Sequence, residues 1–105
     1  KDVQKDNVGW DLEAVLGKVK LKVEVKGLSG NELSTELTPN EYKKSKDNRD
    51  EYRISVVLRA LDNNPKLQIY SYSPDSDSWE DDEGHVLIFE ERTSARLSSA
   101  VNNAD

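Results

Sequence analysis

Residues 18–27 read KVKLKVEVKG, and in this stretch four lysines and one glutamate alternate strictly with valine and leucine. This period of two predicts a β-strand with its apolar side chains on one face and its charged side chains on the other. One detail is unusual, because the acidic Glu24 stands among lysines, two residues before Lys26. The stretch is therefore either a solubilised strand or one edge of a functional site.

Residues 9–16, GWDLEAVL, alternate in the same way and predict an antiparallel partner strand. The link Gly17-Lys18 has glycine first, which favours a type II′ hairpin turn. That turn fixes the register and sets Asp11 directly opposite Glu24. The apolar side chains that this register places on one face, and that we expect to be buried, are Trp10, Leu12, Val23 and Val25.

The rest of the chain predicts an α/β domain with a mixed sheet and one flanking helix. Thr38, Pro39 and Glu41 form a capping box that opens a helix of about three turns. Further strands are expected at residues 31–38, 51–61 and 66–72, of which 51–61, EYRISVVLRAL, is the most apolar. The expected division is a linker at 1–8, a core at 9–73, an acidic loop at 74–84, a strand or helix at 85–98, and a tail at 99–105.

Length and composition limit the possible functions. A chain of 105 residues with 34% hydrophobic and 34% charged residues forms one domain with a modest core. It begins at Lys1 and contains no methionine, so we expect a fragment of a longer protein. The absence of cysteine excludes disulfides and thiolate chemistry and suits a cytoplasmic protein. No apolar run approaches the roughly 18 residues of a membrane-spanning helix, so no membrane partner is expected.

The net charge of −6 arises entirely from residues 54–105, because acidic and basic residues balance in residues 1–53. An acidic protein is a poor passive binder of nucleic acid. The lysines of the first half still leave a local basic face open. The charge therefore argues against nucleic acid for the whole chain but not for its first half.

Two carboxylates facing each other across a strand pair repel unless a cation lies between them. Asp11 and Glu24 would supply two oxygen ligands for Mg²⁺ or Mn²⁺, and Lys26 lies on the same face as Glu24, one pleat further on. A lysine there can hold an attacking water and offset charge on a phosphate. The plainer interpretation is a solvated strand face, since Glu-x-Lys is common in charged strands.

Four motifs in this order, GWDLEAV, VEVKG, LTPNEYKKS and EYRISVV, together resemble the NO VEIN C-terminal domain family, a former domain of unknown function. That family is grouped with the PD-(D/E)xK nuclease-like superfamily. The resemblance implies a restriction-endonuclease-like core, with an upstream helix missing from this chain. It also implies Asp11, Glu24 and Lys26 at the Asp, Glu and Lys positions, and fusion to helicase, ATPase or restriction-system modules.

The leading hypothesis is a divalent-metal-dependent DNA endonuclease of a defence or DNA-processing protein. Asp11 and Glu24 would bind Mg²⁺ or Mn²⁺, and Lys26 would serve the attacking water. Asn40 and Glu41 are further candidate site residues, because the helix after the Glu-x-Lys strand often lends a polar group in this superfamily. The alternative for Glu41 is capping alone. The alternative for the domain is a catalytically silent module that binds nucleic acid or a protein.

Overall fold

The computed structural model describes residues 8–92, 97, 99 and 100 of the chain. In this part, five strands form one mixed sheet in the order β1-β2-β3-β4-β5. The elements are β1 (Leu12–Leu16), β2 (Val19–Gly27), α1 (Pro39–Asp47), β3 (Tyr52–Leu58), β4 (Lys66–Ser73) and β5 (Ser78–Glu80). The α/β class and the mixed sheet are as predicted. No helix in these residues is long and apolar enough to cross a membrane.

The β1–β2 hairpin has the predicted register. Leu12 lies opposite Val23, and the pairing continues to Leu16 and Val19 beside the turn. Gly17 has a φ of 63°, as the first turn residue of a type II′ hairpin requires. The strand β2 then pairs in parallel with β3. Because parallel neighbours need a long crossover, the segment between them contains α1.

The beginning of β1 differs from the prediction. The strand starts at Leu12 because the side chain of Asp11 takes the place of a strand carbonyl. The Asp11 Oδ2 atom accepts a hydrogen bond of 2.9 Å from the backbone N–H of Val25. The predicted pairing of Trp10 with Val25 therefore does not form. Trp10 instead packs against the core, where its ring lies beneath the ammonium of Lys22.

The core lies on the sheet face that carries Glu24, which we call the inner face. Alternate residues of β3 form most of it, and Tyr70 of β4 and Trp79 of β5 complete it. The ring of Trp79 contacts Tyr52 and Tyr72 edge-on. The buried β3 residues are Tyr52, Ile54, Val56 and Leu58. The strong alternation of the EYRISVVL segment thus predicted the centre of the core correctly.

The opposite sheet face, which we call the outer face, was expected to be buried, and that expectation is wrong. Leu12 is 40% exposed, Val25 36%, Leu67 57% and Ile69 51%. The apolar side chains share a face as predicted, except for Trp10, which packs on the other one. The connecting segments instead place Leu28, Leu33, Leu37 and Leu87 against the core of the inner face.

Three further segments need correction. Residues 31–38 form no strand, since the crossover to β3 leaves them without a sheet edge, and Leu33 and Leu37 contact the core from an irregular chain. Segment 74–84, expected to be an acidic loop, contains β5, because Trp79 is buried beside Tyr72. Residues 85–92 form neither helix nor strand beyond one bridge, Glu80 to Val86. Most of 93–105 and residues 1–7 lie outside the described residues.

Candidate functional site

The site is centred on Glu24, in the middle of β2 between β1 and β3. Its position is unusual for a carboxylate, because only 1% of its surface is exposed. The strand register places it beside Ile54, so it faces the core rather than solvent. No donor from the described residues reaches its Oε1 atom. Burying a carboxyl oxygen without a hydrogen-bond partner costs folding free energy. The burial of Glu24 therefore needs a physical explanation.

Lys26 lies two residues further along the same face and is held by the helix. Its Nζ lies 3.1 Å from Glu41 Oε1 and 3.8 Å from Glu24 Oε2. The same Glu41 oxygen accepts the Thr38 backbone N–H at 2.8 Å, which closes the predicted capping box. The interpretation that Glu41 only caps the helix is therefore incomplete, because its carboxylate also orients the lysine.

The carboxyl groups of Glu24 and Glu41 differ in pKa. Burial raises the pKa of Glu24 to about 8, and a hydrogen bond to Glu41 acts in the same direction. The negative charge of Asp11 adds to this effect, whereas Lys26 opposes it. Burial also opposes ionisation of Glu41, but hydrogen bonds from Thr38 and Lys26 outweigh it and lower its pKa. Near neutral pH, Glu24 therefore holds the proton and Glu41 the charge.

The predicted metal ligand Asp11 has a hydrogen-bond partner in the backbone of β2. Asp11 lies close enough to Glu24 to influence its pKa, but its Oδ2 is engaged by Val25 N–H. Among the described residues, the three carboxylates with oxygens all within 4.8 Å of one another are Asp81, Asp82 and Glu83. Sequence reasoning missed this cluster because it took the segment for a solvated loop. Within this cluster, the Asp81 carboxylate accepts a hydrogen bond from the backbone N–H of His85 and lies 2.7 Å from the ring nitrogen Nδ1 of His85.

Three lysines of β2 have carboxylate partners within the domain. Lys20 pairs with Glu13 at 3.2 Å, and Lys22 pairs with Glu51. With Lys26 bound to Glu41, each of these three side chains has a carboxylate partner. Their positive charge is thus largely compensated within the domain.

Asn40 lies in the first turn of α1, where the entering chain passes close to the helix. A Cβ at Gly9 would lie 3.2 Å from Asn40 Nδ2 and 2.5 Å from Lys44 Cγ. Gly9 also has a φ of 98°, which other residues rarely adopt. Its carbonyl accepts the Tyr52 hydroxyl at 2.7 Å in the core. This glycine fixes the approach of residues 10 and 11 to the site.

Fold and site together define an α/β domain in which one buried and one partly exposed carboxylate, those of Glu24 and Glu41, contact a single lysine. The chain belongs to the family described as Protein NO VEIN, C-terminal, whose match covers residues 1–70. That description places the family's domain at the C-terminal end of a larger protein. No curated protein and no solved structure matches the chain.

Proposed function

We propose that this domain binds a divalent cation, Mg²⁺ or Mn²⁺, at Asp11 and Glu24 and hydrolyses phosphodiester bonds in DNA, as a member of the PD-(D/E)xK nuclease-like group with a restriction-endonuclease-like core. The observation that carries the proposal is the buried Glu24 oxygen without a donor. Such an oxygen on the inner face is suited to a cation ligand.

The charges of the site favour the binding of a divalent cation. If ionised, Asp11, Glu24 and Glu41 carry three negative charges, and Lys26 supplies one positive charge. This imbalance is one reason why the pKa of Glu24 is raised to about 8. A divalent cation would remove the imbalance and let Glu24 ionise, so that metal binding releases a proton.

Each residue has a role that follows from its contacts. Val25 N–H fixes the orientation of the Asp11 carboxylate, and Asp11 Oδ1 accepts no hydrogen bond from the described residues. Glu41 holds the Lys26 ammonium beside Glu24, where it can bind a water or a phosphate oxygen. A divalent cation, when bound, supplies polarisation of the phosphate and a more acidic water.

A catalytically silent module that binds nucleic acid or protein is the second candidate. It is favoured by the engaged Asp11 oxygen and by the paired lysines of β2. Family membership does not decide between these candidates, because a fold does not determine activity.

Metal binding is tested by isothermal titration of the 105-residue chain with MnCl₂ and MgCl₂ at pH 6 and pH 8. We expect tighter binding at pH 8, proton release in buffers of different ionisation enthalpy, and loss of binding in Glu24→Gln. Glu32→Gln, in the exposed loop before α1, is the matched control. Binding that is unchanged in Glu24→Gln would reject this metal site.

Catalysis is tested by nicking of supercoiled plasmid with Mn²⁺. We expect Lys26→Ala to remove cleavage while Mn²⁺ binding persists, and Asp11→Ala to weaken both. Lys20→Ala, which removes a lysine that pairs with Glu13, is the matched control. Mn²⁺ binding through Glu24 without any cleavage by the wild type would favour the silent module. Cleavage that survives both site substitutions would contradict the assignment of these residues.

A further inference from the structure

We draw no further inference here: the strongest candidate, the exposed apolar outer face of the sheet around Leu12, Leu67 and Ile69, carries none because nothing in the structure shows what covers it.

Discussion

The substitution Glu24→Gln should change how the stability of the domain depends on pH. Glutamine preserves the shape of the side chain but cannot ionise. In the wild type, the pKa of Glu24 rises from 4.5 in the unfolded chain to about 8 in the fold. Between these values the folded state holds a proton that the unfolded state has lost. Wild-type stability should therefore fall as pH rises from 4.5 through 8.

The size of this effect follows from the same shift. At about 1.4 kcal/mol per pKa unit, the full shift corresponds to a ceiling of about 5 kcal/mol. Local relaxation and water entry at the ionised carboxylate reduce this, and we expect a loss of about 1 to 3 kcal/mol between pH 5 and pH 8.5. Glu41 does not mask it, because its pKa is lowered and its contribution changes only below pH 4.5.

The assay is urea denaturation of wild type and Glu24→Gln at pH 5, 7 and 8.5 without divalent cations. The difference in unfolding free energy between the two proteins should move in favour of the variant as pH rises. Glu32→Gln controls for loss of one negative charge at an exposed site. Parallel pH profiles for wild type and Glu24→Gln would refute the reasoning, since they would mean that the carboxyl titrates normally in the fold.

Three other substitutions test the fold. Thr38→Ala removes the N-cap oxygen that accepts a helix N–H at 3.1 Å and should cost about 1 kcal/mol in urea denaturation, whereas Thr35→Ala, in the exposed loop, should cost almost nothing. Gly9→Ala should lower the unfolding free energy by about 1 to 2 kcal/mol because Gly9 has a positive φ, and by more if the Lys44 side chain cannot move aside. A melting temperature equal to that of the wild type would contradict this. Trp79→Ala should cost about 3 to 5 kcal/mol, because the ring is buried, and an unchanged melting temperature would place that tryptophan outside the core.

Local signals in the sequence predicted the elements that local chemistry determines. The hairpin register follows from Gly17 and strict alternation, and the helix start follows from Thr38 and Glu41. Both depend on residues a few positions apart, so no distant contact can easily override them. The burial of β3 was equally clear, because its side chains are apolar on one face and large.

The burial of Glu24 could not be predicted in this way. Alternation in β2 separates charged from apolar residues but does not decide which set faces the core. That choice depends on β3, whose Tyr52 and Ile54 side chains are buried. Residues paired in the parallel register point to the same side of the sheet, so the charged face of β2 faces the core as well. The strands β2 and β3 are separated by a crossover of more than twenty residues, so the burial of Glu24 depends on a nonlocal contact.

The link between α1 and Lys26 has a dynamic consequence. A single oxygen, Glu41 Oε1, both closes the first turn of α1 and holds the lysine. Fraying of that turn would therefore also release the lysine. An anion that engages Lys26 and competes for its ammonium should speed hydrogen exchange at the Thr38 amide, whereas a cation that draws the carboxyl groups together should slow it. The helix terminus thus reports on the occupancy of a site that lies in the sheet.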